Sequence, residues 1–134
     1  MCSRYEIDVE WETIVEQLGL DGEPGDFHPG EIRPTNTAPV LFSGNLTALR
    51  WGIPAPWDGK PLINARSETL EEKATFSPLL EHRCLIPASA YFEWRKDGKA
   101  RLKNRISLID GNLMGFAGLC TPKSRHSPPT SNAI

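Results

Sequence analysis

Cysteine is scarce in this sequence, and what there is excludes the usual covalent staples. Cys2, Cys84 and Cys120 form an odd count, with no CxxC pair and no histidine at ligand-like spacing. Neither a disulfide framework nor a zinc site is expected, the thiols are read as reduced, and no metal or other cofactor is implied. Long apolar runs are missing too. No stretch reaches the about 18 residues of a membrane helix, and no basic segment precedes an apolar one near the N-terminus, so a cytosolic chain without a membrane partner is expected. Net charge is only −2, which by itself argues against nucleic acid, and there are no internal repeats. What remains is one domain's worth of chain: 134 residues, 39% of them hydrophobic and four of them tryptophan, enough for a modest core and unlike a disordered composition.

The first cysteine directly follows Met1, so removal of the initiator would leave Cys2 as the N-terminus. A free α-amine titrating near ~8 and a thiol near ~8.5 on one residue would form a 1,2-aminothiol, available close to neutral pH. Such a pair condenses with an aldehyde to a Schiff base, which the thiol closes to a thiazolidine. The alternative is an ordinary second residue.

Charge is distributed unevenly. Met1 to Glu31 holds nine acidic residues against one basic, Arg4, whereas Arg95 to Arg105 holds six basic residues against one acidic, Asp97. The basic stretch either follows phosphates or is a solvated face.

Apolar residues at Trp11, Ile14, Val15 and Leu18 predict a helix over Asp8 to Leu18, capped by Asp8 and ended by Gly19. Leu20 to Arg33 reads as a loop. Val40 to Ser43 and Leu46 to Trp51 read as a hairpin about a Gly44-Asn45 turn, and the prolines of Gly52 to Pro61 predict a rigid loop presenting Trp57. A short helix is expected over Ser67 to Thr75, with another starting at Ser77-Pro78. Strands follow at Cys84 to Ile86, Ala90 to Trp94, Ile106 to Ile109 and Leu113 to Leu119, with turns at Asp97-Gly98 and Gly111-Asn112. Thr121 to Ile134 has no periodic pattern and reads as a disordered end.

Two further motifs carry chemistry-bearing residues. Ile63 to Thr69 (INARSET) places a carboxamide, Asn64, and a guanidinium, Arg66, at a strand-to-helix junction. Arg83 to Ala88 (RCLIPA) leads into Tyr91-Phe92-Glu93-Trp94, a lone carboxylate among aromatics. Glu93 either points to solvent, which alternation favours, or sits in an apolar pocket suited to general acid/base work.

Together these residues resemble the SRAP family, the SOS response-associated peptidase domains that cross-link to abasic sites in single-stranded DNA. The resemblance runs from Met1 to about Leu119 through Met-Cys-x-Arg, Asn36-Thr37-Ala38-Pro39, Trp51-Gly52-Ile53-Pro54 to Trp57, the Ile63 to Thr69 motif and Arg83 to Trp94. It implies an α+β fold, a mainly antiparallel β barrel or sheet core with short flanking helices. It implies catalytic roles for Cys2, Asn64 and Glu93, phosphate contacts for Arg4 and Arg66, and an ssDNA channel lined by Pro39 and Trp57. The implied partner is single-stranded DNA containing abasic sites, bound by a monomer that is nucleoid-associated if bacterial, with self-release of Met1 as the peptidase step.

The chain departs from the family pattern twice. Ser3 stands where the family usually has glycine, and the family's C-terminal portion, with its catalytic histidine, has no counterpart. His126 is the only histidine after Glu93, and its setting, Ser124 to Pro129, does not match, so it is read as a tail histidine. Residues 1–120 are thus expected to be the N-terminal portion of such a domain and 121–134 an off-family tail, with part of the core missing. Two other classes fit the same residues: an N-terminal-nucleophile cysteine hydrolase acting on amides, and a non-catalytic single-strand-binding remnant of a truncated gene.

Overall fold

The computed structural model describes residues 2–21, 25–121 and 132–133. Antiparallel strands dominate it. The elements in chain order are β1 (Tyr5–Ile7), α1 (Trp11–Leu18), β2 (Gly30–Ile32), β3 (Thr37–Phe42), β4 (Asn45–Trp51), β5 (Ile53–Pro54), β6 (Pro61–Leu62), β7 (Arg83–Ala88), β8 (Ala90–Asp97), β9 (Ala100–Ser107), β10 (Met114–Leu119) and β11 (Asn132–Ala133). One sheet has the order β2-β1-β8-β9 and a second the order β10-β7-β3-β4-β11, with a small β5-β6 ladder beside them. All pairings are antiparallel except β11 with β4. This is the expected α+β, sheet-dominated class.

The chain passes from the second sheet to the first at Ser89, between β7 and β8. Ser89 is buried and bonded to β1 and the residue after it: its N–H donates to the Glu6 carbonyl at 2.8 Å, and its hydroxyl accepts the Asp8 N–H at 3.0 Å. A buried hydroxyl satisfied in this way joins the sheets without an orphaned donor. It also holds the N-terminal strand beside β8, with Tyr5 opposite Tyr91.

Between the sheets lies a core of Tyr5, Ile7, Ile14, Val40, Leu49, Trp51 and Ile86 with their neighbours, onto which α1 lays Trp11 and Ile14. A smaller cluster forms around Ile53, Leu79 and Leu119, flanked by Leu70 and Leu80.

Several local expectations shift by a residue or more. Gly19 closes α1 in the left-handed region (φ +63°) as its position implied, but the helix starts at Trp11, with Glu10 and not Asp8 at its cap. Asp8 is taken up by the corner instead, its N–H on Ser89 and its carboxylate 3.4 Å from Arg105. The β3-β4 hairpin turns on Ser43-Gly44, both with positive φ, as a two-residue turn matching strand twist requires. Asn45 therefore begins β4, opposite Phe42. The helix expected over Ser67 to Thr75 is a single 3₁₀ turn at Ser67–Thr69, and Ser77–Leu79 forms another. Both wrap the smaller cluster through Leu70 and Leu79, where short turns suffice to bury one residue each. Expected at Ile106 to Ile109, the strand instead occupies Ala100–Ser107 as the full-length partner of β8, and Ile109 stands free in solvent. Of the tail Thr121 to Ile134, Asn132 and Ala133 pair with Arg50 and Trp51, while His126 lies outside the described residues.

Candidate active site around Cys2

The pairing of β1 with β8 decides where the N-terminus lies. Phe92 donates its N–H to the Arg4 carbonyl at 3.0 Å, which draws residues 2–4 alongside Phe92, Glu93 and Trp94. From the other side, the Trp51 indole N–H bonds the Ile63 carbonyl at 3.1 Å and pins the segment after β6 against the end of β4. Asn64 is thereby delivered to Cys2. Its carboxamide Nδ2 donates to the Cys2 carbonyl at 2.7 Å, a contact spanning 62 residues of sequence.

Cys2 and Asn64 share a cavity of about 330 Å³ with Tyr5, Trp51, Ile63, Gly115, Phe116 and Ala117. Tyr5 stands edge-on to Trp51 and to Phe116, with ring centroids 5.2 and 5.9 Å apart, so the wall is rigid and aromatic. Burial holds the Tyr5 hydroxyl far above its ordinary range, leaving it a neutral phenol. The Cys2 thiol is half-buried and donates to the Arg4 carbonyl at 3.1 Å. Burial pushes its pKa up, the negative charge of Glu93 pushes it the same way, and backbone hydrogen bonds at Arg4 and Phe92 oppose them. The thiol therefore holds its proton more firmly than a free cysteine does.

Glu93 lines an adjoining polar cavity of about 460 Å³ with Ser3, Arg4, Trp94 and Arg101. Half-buried there, it is neither a fully solvated residue nor one sunk in an apolar pocket. Its charge nevertheless reaches the Cys2 thiol.

Arg4 is already engaged. Its guanidinium bonds Glu31 at 2.8 Å and lies 5.7 Å from the Trp94 ring. Glu31 also bonds Arg33 at 3.2 Å and the Lys103 ammonium, and that ammonium sits 4.0 Å from the Phe92 ring centroid. Hydrogen bonding from Lys103 above all, then from Arg4 and Arg33 against an opposing burial effect, holds the Glu31 carboxyl at about 2. Sequence reasoning missed this hub, since two of its partners lie 27 and 72 residues away and the residue itself sits near a Gly/Pro-rich stretch.

Of the expected site residues, Cys2, Asn64, Glu93 and Arg4 converge. Trp57 is 70% exposed on the β5-β6 loop and Arg66 is exposed at the first 3₁₀ turn, both outside the Cys2 cavity. Pro39 departs from expectation: it is fully buried in β3 opposite Ala48, a core residue with no surface to offer a channel. The remaining thiols, Cys84 and Cys120, hydrogen-bond to one another, which with burial holds Cys84 far above the ordinary thiol range. Among the described residues no group of histidine, cysteine and carboxylate side chains is arranged to hold a metal ion. No helix among them is long and apolar enough to cross a membrane, which leaves β-barrel spans unaddressed.

The profile of the SOS response associated peptidase (SRAP) family matches residues 1–133. The chain belongs to the SRAP family. Among SRAP relatives, it is 39% identical over 133 residues to the abasic site processing protein YoqW of Bacillus subtilis, covering 89% of this chain and 59% of that protein. The abasic site processing protein YedK of Escherichia coli is 33% identical over 138 residues, covering 93% of this chain and 62% of YedK. This SRAP chain thus spans about three fifths of the length of these relatives. A crystal structure of a protein from Bacteroides thetaiotaomicron superposes with a TM-score of 0.79 at 18% identity, over 98% of this chain and 66% of that one, and so shares the fold.

Proposed function

We propose that this chain captures abasic sites in single-stranded DNA by forming a covalent bond at Cys2. The observation that carries the reading is the convergence on an N-terminal cysteine of a carboxamide, 2.7 Å from its carbonyl, and a carboxylate whose charge bears on its thiol. Relatives at 33 to 39% identity named abasic site processing proteins support the substrate.

Release of Met1 comes first. The Cys2 thiol can attack the Met1 carbonyl to give a thioester, which frees the Cys2 amine, and water then hydrolyses the thioester; this is the one peptidase step required. The amine adds to the C1′ aldehyde of the ring-opened abasic sugar, and the carbinolamine loses water to become a Schiff base. Glu93 takes the amine proton and returns one to the departing hydroxyl. The thiol, protonated until then, adds across the C=N bond, its proton passing to nitrogen as the thiazolidine closes. Capture thus costs one water in total. Asn64 holds the Cys2 carbonyl so that amine and thiol face the cavity together. A cavity of about 330 Å³ admits a sugar that has left the base stack, which favours single strands over duplex.

Intact mass after incubation with an aldehyde-bearing abasic oligonucleotide tests the reading. The expected product is a heat-stable adduct of oligonucleotide plus Met1-less chain minus one water, lost in Cys2→Ala and kept in Cys84→Ala. An adduct undiminished in Cys2→Ala refutes the assignment. Salt-sensitive binding without an adduct points to a non-catalytic remnant, and neither adduct nor binding points to an amide hydrolase.

A further inference from the structure

Beyond Asn64 the structure opens a second cavity. It holds about 230 Å³ and is lined by Asn64, Ser67, Leu70, Leu80, Arg83 and Leu119 among others. Asn64 and Ala117 also line the Cys2 cavity, so the two spaces adjoin. The composition is divided. Leu70, Leu80 and Leu119 belong to the smaller apolar cluster and supply a greasy floor, while Ser67 and Arg83 supply polar groups. Arg83 is exposed and makes no ion pair among the described residues, unlike Arg4 and Arg33, which Glu31 occupies.

We propose that this second cavity seats the nucleotide next to the abasic sugar, its base against the leucine floor and its phosphate on Arg83. The volume lies below the ~300 Å³ at which pockets begin to enclose a drug-sized molecule, so the occupant is a single ring system. An apolar floor takes a base face without reading its edge, and a guanidinium takes a phosphate oxygen pair, together the chemistry of one nucleotide. Continuity through Asn64 ties that nucleotide to the sugar at Cys2, because a strand leaving the first cavity on this side passes directly over the second. The inference rests on the single-strand reading above, and it adds that an abasic site with an intact base on that side is bound better than one inside a run of missing bases.

The test uses fluorescence anisotropy with oligonucleotides carrying a tetrahydrofuran abasic analogue, which has no aldehyde and so reports binding without the covalent step. Four probes carry a base on both sides of the analogue, on the 5′ side only, on the 3′ side only, or on neither. Wild type should bind about tenfold less well when the base on one particular side is missing and be indifferent to the other. Arg83→Ala should weaken binding to every probe and lower the magnitude of the salt slope by about 0.7, with Arg83→Lys restoring the slope. Ser67→Leu, which crowds the cavity without removing charge, should abolish the one-sided preference and leave the slope alone. Indifference to both neighbours in wild type, or an unchanged slope in Arg83→Ala, overturns the proposal. Failure of the covalent reading appears elsewhere, as absence of an adduct with the aldehyde-bearing oligonucleotide while these binding differences persist.

Discussion

Replacing Glu31 with glutamine should destabilise the fold in a way that pH reveals. The carboxylate gathers Arg4, Arg33 and Lys103, which hold it at about 2 instead of its ordinary 4.5. That difference corresponds to at most ~3 kcal/mol. Glu31 is 23% exposed and its three partners 36 to 60%, so solvent and salt screen much of it, and a net ~1–2 kcal/mol is the reasonable expectation. The sign follows from linkage. A carboxyl depressed in the folded state stabilises fully above its ordinary value of 4.5, and that stabilisation drains away as pH falls towards 2. Glu31→Gln keeps the shape and two polar atoms but removes the charge. At pH 7 its Tm should lie ~4–10 °C below wild type. The gap should narrow from pH 4.5 downwards and close near pH 2, and at pH 7 it should shrink in high salt. Differential scanning fluorimetry of both proteins at pH 7, 4, 3 and 2 measures it, and the wild-type-minus-variant difference removes the contribution of other carboxylates. A gap that persists undiminished at pH 2 would refute the electrostatic account and leave packing as the cause.

Other outcomes follow from the site and its supports. Asn64→Ala removes the 2.7 Å bond to the Cys2 carbonyl, and should cost ~1 kcal/mol in stability and slow adduct formation about tenfold without abolishing it; an unaltered rate in a gel time course would show that the carboxamide does not orient Cys2. Trp57→Ala, at a 70% exposed side chain, should leave folding stability within ~0.5 kcal/mol of wild type yet weaken single-strand binding by ~1–3 kcal/mol at constant salt slope, whereas Arg66→Ala should lower the slope by about 0.7. Equal slopes in wild type and Arg66→Ala would remove Arg66 from the phosphate contacts. Gly52→Ala should cost ~2–4 kcal/mol, because φ is +106° and the new Cβ would meet the Pro61 Cβ at 2.7 Å; a Tm equal to wild type would mean that the β5-β6 ladder shifts freely.

What the sequence made legible was local. Gly19 as a helix stop, the β3-β4 hairpin and the exposed Trp57 each depend on residues a few positions apart, and each is found close to where composition placed it. Errors of one residue arose where two local solutions compete: Ser43-Gly44 and Gly44-Asn45 are both workable turns, and only the register of Phe42 opposite Asn45 chooses. The helix over Ser67 to Thr75 failed for a different reason. Its residues are demanded by the smaller apolar cluster, which is satisfied by Leu70 and leaves no apolar stripe for further turns.

The site itself was legible only as a set of names. Cys2, Asn64 and Glu93 could be picked out by resemblance, but nothing within either motif says that Trp51 will carry Ile63, and so Asn64, to the Cys2 carbonyl. Pro39 shows the opposite limit, since a motif residue assigned to a channel is consumed by the core once β3 takes its place between β4 and β7. Glu31 and Arg4 carry this furthest. A cation counted from sequence as a phosphate ligand is already held by a carboxylate from β2, so on the proposed function a DNA phosphate would compete with Glu31 for a guanidinium whose charge is partly neutralised. A contact made in that competition would gain little free energy in itself, so the proposed function places more of the phosphate binding on cations without a carboxylate partner among the described residues, Arg66 and Arg83 among them.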